Sequence, residues 1–347
     1  NPAFMLHTGD VVERGWRQDY WNYYFKALGD YSTYMPSFHA IGNHDHDQTT
    51  FRETKLGLMH FEEYLTPSYY SFNVGKIHYV IVNDISFSRK LVKEKYRLGL
   101  EYWHYKWLER DLQFVPKDHT IVICGHAQLF RNFGGKGKDV DSKKNLSYAR
   151  YSKLLSQYAR VYSWSGHYHT NYGFDYAGKP KFENMSHISA ITAARCIGVL
   201  RSNMEMDNVG VPNGYMVVDV DGENFEWWYK SVGHDRNHQM RAYTPVRTGD
   251  GYLKVNVWNY TKGYWSDVEW WVNGEKVGTF EQFAEPDPDY LDIHATKLTH
   301  LRGTAKNYAK AGKSQYMFRI KPAEGVRSGE IRVTDNFGVT YTEKVEW

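Results

Sequence analysis

The stretch TIVICGH, residues 120–126, is an apolar run that stops at a glycine followed by a histidine. Three other runs share the design: AFMLHTGD (3–10), SFHAIGNHD (37–45) and VYSWSGHYH (161–169). Short apolar runs bounded in this way read as buried strands. A glycine at the strand end removes the Cβ, so that backbone or an ion can come close. In α/β sheets, sites gather beyond the carboxyl ends of the strands. The four ends present Asp10, Asn43, His126 and His167, with His169 two residues further on. One carboxylate, one amide and three imidazoles form a donor set for borderline transition metals, not the all-oxygen cage of calcium.

Spacing adds to residue type. His167 and His169 lie two apart, so an extended chain would send both to one side, and a turn could aim them at two cations. Asp10 has two oxygens and can bridge two cations. A pair of metals about 3.5–4 Å apart clamps the attacking and leaving oxygens of phosphoryl transfer. Each residue also has a plainer reading. A lone His126 is usually a hydrogen-bonded core or surface histidine, and Asp10 after a strand is usually a turn or cap. The succession GD, GNHD, GH and GHYH, each after a buried-looking strand, favours the metal reading.

The motifs GDVVERG (9–15), GNHD (42–45), CGHA (124–127) and SGHYH (165–169) resemble those of the calcineurin-like metallophosphoesterases, in the same order. The resemblance covers about residues 1–235. It implies a four-layer α/β/β/α sandwich holding two divalent transition-metal ions of the manganese, iron or zinc class, and hydrolysis of a phosphomonoester or phosphodiester by an activated water. Carried over to this chain, Asp10 would bridge both metals. Asn43, His126 and His167 would complete one site, and His169 would belong to the other. His44 would contact the phosphate and protonate the leaving oxygen. Two departures stand out. The family's first strand ends in Asp-x-His, which no residue before Asp10 supplies, so that strand is expected upstream of Asn1. Glu13 stands where the phosphoprotein-phosphatase branch has an aspartate that holds the GNH histidine. A histidine acting as general acid needs a carboxylate to set its tautomer and raise its pKa. Glu13, or else Asp45, is expected in that role, and Arg14 matches a phosphate-contacting arginine of that branch. A loop salt bridge between Glu13 and Arg14 is the plainer alternative.

The remaining organisation follows from periodicity. Residues 16–35 read as a helix joining the first two strands in a βαβ crossover. Residues 69–84 read as a hairpin turning at Gly75-Lys76, 99–114 as an amphipathic helix, 147–160 as another helix, 181–193 as a strand and 214–232 as a hairpin with an Asp-Gly turn completing the second sheet. The Gly- and Lys-rich loop 131–147 could offer Arg131, Lys136 or Lys138 to an anion, or could simply be solvated. The polar stretch 233–246 reads as a linker with exposed His234 and His238. Beyond it, alternating strands with Asn-Gly (273–274) and Asn-Phe-Gly (336–338) turns suggest a small all-β sandwich. That region resembles the C-terminal domain of some bacterial calcineurin-like phosphoesterases. Two domains are therefore expected, 1–235 and 236–347.

The bulk numbers fit this reading. The chain has 347 residues, 41% hydrophobic and 24% charged, which suits soluble globular domains. A net charge of +3 is too small to predict nucleic-acid binding. Two cysteines, Cys124 and Cys196, make no disulfide scaffold. No apolar run reaches 18 residues, so no membrane span is expected. Aromatics at 17% favour packed β cores and a periplasmic or extracellular setting over a cytoplasmic one. Two rivals stay open: a nuclease of the same superfamily, and a binding protein that has lost one metal.

Overall fold

The four apolar runs form strands: Thr120–Cys124 and Arg160–Ser165 stop directly before Gly125 and Gly166, whereas Met5–His7 and Ser37–His39 stop short of Gly9 and Gly42. The computed structural model describes residues 2–29, 34–49, 54–87, 96–128, 153–175, 187–199 and 204–347. The chain divides into two compact units, Asn1–Tyr168 with Phe174–Thr192, and His169–Gly173 with Ala193–Trp347.

In the first unit, β1 (Met5–His7) leads through the helix Gln18–Leu28 to β2 (Ser37–His39). The two strands pair in parallel with His7 opposite His39, which is the expected crossover. The helix ends at Gly29, shorter than its periodicity suggests. Short helices Thr54–Gly57 and Met59–Tyr64 precede the hairpin of β3 (Tyr70–Val74) and β4 (Ile77–Ile81), which turns at Gly75 and Lys76. A small pair, β5 (Ile85–Ser86) and β6 (Arg97–Leu98), is followed by the helix Tyr102–Asp111, and then come β7 (Thr120–Cys124), β8 (Arg160–Ser165), β9 (Tyr172–Asp175) and β10 (His187–Thr192). The main sheet runs β3-β4-β7-β8-β10-β9, and β4, β7, β8 and β10 are mutually parallel. Every residue of β4 and of β7 is buried, as expected of central strands covered on both faces. The loop 131–147 and most of the helix expected at 147–160 lie outside the described residues; 153–155 are helical.

Three apolar clusters hold this unit together. Helix Tyr102–Asp111 sets Tyr105 and Leu108 against Val80 and Val82 at β4, Ile121 and Ile123 of β7 and Val161 of β8. The opposite face of the sheet meets the β1–β2 pair: Leu6 and Ala40 pack with Ile81, Cys124, Tyr70 and Phe72, and the rings of Phe38 and Phe72 stack 4.0 Å apart. Outside β1 and β2, Trp21 of the first helix joins Val12, Ile41, Leu58 and Phe61. Each fully buried large side chain contributes about 1.5–3 kcal/mol.

The second unit contains the hairpin of β11 (Gly214–Asp221) and β12 (Asn224–Ser231), then β13 (Met240–Tyr243), β14 (Leu253–Val257), β15 (Glu269–Val272), β16 (Glu275–Thr279), β17 (Glu281–Glu285), β18 (Ser314–Ile320), β19 (Ser328–Thr334) and β20 (Thr340–Glu346). Two four-stranded antiparallel sheets, β13-β14-β18-β17 and β16-β15-β19-β20, share one core that includes Val255, Phe318, Trp270, Ile331 and Tyr341. Asn273 and Gly274 both take positive φ at the β15–β16 turn, as a two-residue hairpin of this kind requires. Three points differ from the sequence reading. The supposed linker 233–246 contains β13, a strand paired antiparallel with β14, with Met240 and Ala242 packed in the core shared by the two sheets. Helices Pro288–Thr296 and Gly303–Tyr308 stand among the strands, so the region is not all β. The 214–231 hairpin pairs only with itself among the described residues, and its Tyr229 packs with Val209, Val211, Trp258 and Tyr316 of the same unit. His234 and His238 stack with centroids 4.0 Å apart, and His238 leans on Trp258. Cys124 is buried, and both cysteines are free. Among the described residues no helix is long and apolar enough to cross a membrane.

The buried histidines make the fold sensitive to acid. His7 and His39 stack on the paired strands, and the Tyr24 hydroxyl lies 2.6 Å from His39 Nε2. Burial pushes His7 down to about 4, His39 to about 3 and His104 to about 3. The unfolded chain binds protons at these residues near pH 6.5 while the folded chain stays neutral, so stability is complete above about pH 6.5 and falls as the pH drops toward 3. The limiting slope is about 1.4 kcal/mol per pH unit for each such histidine. Urea midpoints measured from pH 7 to 4 should fall steeply, and His39→Gln should flatten the fall. An unchanged slope in that variant would remove His39 from the account.

Candidate metal centre

Three ligand-type atoms converge on a fourth, His126 Nε2. Asp10 Oδ2 lies 3.2 Å from it, Asn43 Oδ1 3.2 Å and His167 Nδ1 3.1 Å. They come from the ends of β1, β2, β7 and β8, the four strand ends marked by the motifs. The parallel pairing of β7 with β8 brings His126 beside His167, and the parallel pairing of β1 with β2 brings Asp10 beside Asn43. His126 Nδ1 lies 2.7 Å from the Thr8 carbonyl oxygen and donates to it, so in the neutral ring Nε2 carries a lone pair toward the cluster. Metal-ligating histidines are oriented in this way, with the second nitrogen donating to a carbonyl or carboxylate. At these separations the contacts need a positive charge among them, either a proton on His126 Nε2 or a cation in its place. Asp10, His126 and His167 form a group whose ligand atoms all lie within 4.8 Å of one another, and the donor types suit a transition metal.

The approach needs glycine. A Cβ on Gly42 would sit 2.2 Å from Asp10 Oδ1, and one on Gly9 would sit 2.6 Å from His126 Nδ1. Asp10, His167 and His169 themselves hold φ of 55°, 65° and 65°, a sparsely populated region for side-chain-bearing residues. Such backbone persists where surrounding contacts over-determine it, often at functional sites.

Charge in the cluster is concentrated on one pair. Burial alone would raise the Asp10 carboxyl, but the charge and hydrogen bond of His126, with a further contribution from His44, hold it below the usual carboxylate range. Burial would lower His126; the Asp10 charge and hydrogen bond, the Asp84 charge and the Thr8 carbonyl instead lift it to about 9. His167 is pushed down to about 4 by burial and by the His126 charge. The cluster thus favours one positive charge at His126 Nε2. A metal bound there would displace that proton.

His44 is held at two points. Its backbone N–H donates to Asp10 Oδ1 at 2.8 Å, and its ring Nδ1 lies 2.8 Å from the main-chain carbonyl oxygen of Glu13. The Nδ1 partner is therefore the Glu13 backbone, not the carboxylate of Glu13 or of Asp45. The Asp45 carboxylate is directed elsewhere: it accepts the backbone N–H groups of Asp10 (2.8 Å), Val12 (3.0 Å) and Gly42 (2.8 Å), and it is fully buried. Burial and the nearby Asp10 charge raise its pKa. Arg14 lies half-buried in the same loop, and its carbonyl accepts the Arg17 N–H. His169 stands outside the converging group, in the stretch that clusters with the second unit.

Two supports escaped the sequence reading. Asp84, past the end of β4, accepts backbone N–H bonds from His126 and Ala127. Its signal was present in the run YVIVND, another apolar strand ending in a carboxylate. His46 sits fully buried with Nδ1 2.8 Å from the Gly42 carbonyl, closing the GNHDH turn.

Comparison with known families agrees with this geometry. The model described as calcineurin-like phosphoesterase matches residues 1–171, and the one described as C terminal of calcineurin-like phosphoesterase matches residues 202–341. The chain belongs to the calcineurin-like phosphoesterase family. No curated protein gave a significant match. In this calcineurin-like phosphoesterase, the four converging residues Asp10, Asn43, His126 and His167 all lie within the first matched segment.

Removing the Asp45 carboxylate should cost stability as well as order at the site. Three buried N–H groups would lose their acceptor, and each unsatisfied buried donor costs about 1–3 kcal/mol. Asp45→Ala is expected to lower the unfolding free energy by about 3 kcal/mol or more, and Asp45→Asn by less, as measured by urea denaturation. A loss under about 0.5 kcal/mol would mean that water replaces the carboxylate.

Proposed function

We propose that this phosphoesterase is a metal-dependent hydrolase of phosphomonoesters or phosphodiesters with a two-metal centre. The observation that carries this reading is the convergence of Asp10, Asn43 and His167 on His126 Nε2, with His44 attached to the same carboxylate. Asp10, Asn43, His126 and His167 would hold one cation. Asp10 would also serve the second, to which His169 would contribute. Cations bound there supply positive charge to the phosphoryl oxygens and acidify water. The helix, two-sheet and helix packing of the first unit is read as the four-layer sandwich of the family.

The chain's own residues account for the rest. Asp10 uses Oδ1 to fix the His44 backbone and leaves Oδ2 in the cluster, so ligand and acid are positioned by one carboxylate. With Nδ1 donating to the Glu13 carbonyl, His44 Nε2 is the ring atom available to a leaving oxygen. A proton held there would pass to that oxygen as the ester bond breaks. Arg14, in the loop that anchors His44, would contact the phosphate.

Asp10→Ala should be the most damaging single ligand change. It removes the carboxylate of the cluster together with the anchor of His44. Metal content measured on the purified variant should fall along with turnover of an aryl phosphoester. If both stay at wild-type level, Asp10 is not a ligand.

His44→Ala should leave metal content unchanged and lower turnover by about 10²–10⁴-fold on substrates with basic leaving oxygens. The loss should be far smaller on nitrophenyl esters, whose leaving group needs little protonation. Equal losses on alkyl and nitrophenyl esters at matched metal occupancy would leave His44 as a phosphate-binding residue only.

A further inference from the structure

Strand β4 contributes no ligand to the centre, yet the residue just past its end reaches it. β4 pairs in parallel with β7, and the Val82 N–H continues the ladder by donating to the Cys124 carbonyl. Two residues on, Asp84 is fully buried. Its Oδ1 accepts the His126 N–H at 3.1 Å and its Oδ2 accepts the Ala127 N–H at 2.8 Å. Both oxygens thus face the backbone of a single ligand loop. The residue between strand and ligand is Gly125, and a Cβ there would stand 2.7 Å from Asp84 Oδ2. The glycine of TIVICGH therefore makes room for a carboxylate from the neighbouring strand.

We propose that Asp84 is a positioning residue that sets the metal affinity of the centre by fixing the His126 loop. Resting on the metal-centre reading above, this assigns a function to a side chain that does not itself coordinate. The ring of His126 is oriented at one end by the Thr8 carbonyl. Its backbone is oriented at the other by Asp84. Together they aim Nε2 at Asp10, Asn43 and His167. Outer partners of metal ligands typically change metal affinity or activity by about 10–100-fold.

The test is cobalt binding by the full chain, followed by titration and by the visible absorption of bound Co²⁺, which reports coordination geometry. Asp84→Asn removes one of the two acceptors. It should bind cobalt about 10–100-fold more weakly, with an altered spectrum. Gly125→Ala keeps the carboxylate but drives it off the two N–H groups, and the same weakening is expected; should Asp84→Asn not fold, Gly125→Ala decides. The control is Asp111→Asn. Asp111 also accepts two bonds, from Ser71 Oγ at 2.8 Å and from His78 Nε2 at 2.8 Å, but it takes no part in the centre. That control should lose stability and keep wild-type cobalt affinity. Variants at 84 and 125 that lose stability yet bind cobalt as tightly as wild type, with the same spectrum, would reduce Asp84 to a brace of the fold and overturn the proposal. A wild-type chain that binds no cobalt would overturn the metal-centre reading itself, and this inference with it.

Discussion

The structure of the first unit turns on the gathering of donor atoms around one imidazole nitrogen. Asp10 Oδ2, Asn43 Oδ1 and His167 Nδ1 each lie 3.1–3.2 Å from His126 Nε2. Such an arrangement needs a positive charge within it, a proton on Nε2 or a cation, and the surrounding fold keeps the donors in place for it. The means are visible. Asp10 and His167 hold positive φ, two glycines admit the approach, and two fully buried carboxylates, Asp45 and Asp84, take five backbone N–H groups between them.

The sheet explains why the supports sit where they do. Parallel strands deliver their carboxyl ends to one edge, and β7 and β8 arrive there in adjacent register. β4 lies on the other side of β7, so its end is the nearest available position from which a carboxylate can reach the His126 loop. On β1 and β2, the equivalent task falls to Asp45, which ties its own loop to the Asp10 loop. Apolar packing fixes the strands, and the strands fix the ends. Because interiors are close-packed, small shifts in the cluster formed by Leu6, Ala40, Ile81 and Cys124 would be felt at the ligands.

The second unit follows a different rule. Its two antiparallel sheets share a core of alternating residues, a local pattern well matched to short-range turns such as Asn273-Gly274. Asp287 caps the helix Pro288–Thr296 through the Tyr290 N–H and also accepts bonds from Tyr243 and Asn256. One buried carboxylate thereby ties helix and strands together. A helix inserted between β17 and β18 is thus part of the packing of this unit, not an appendage.

What the sequence determined by itself was the set of strand ends and their chemistry. Apolar runs closing on Gly-Asp, Gly-Asn-His, Gly-His and Gly-His-Tyr-His are local signals, and both strand formation and ligand type depend on neighbours a few residues away. The hairpins at 69–84 and 214–232 and the helix at 99–114 were legible for the same reason. The tertiary structure decided everything that depends on partners far along the chain. His44 Nδ1 meets the carbonyl of Glu13 and not its carboxylate, because the loop places the backbone within reach. Asp84 and His126 are 42 positions apart, and His126 and Thr8 are 118 apart, so no periodicity could announce either contact. Met240–Tyr243 reads as a polar linker until β14 offers it a ladder. The division follows from range: propensity and periodicity act over single turns and strands, whereas the charge balance of a metal centre depends on which strand ends the register brings together.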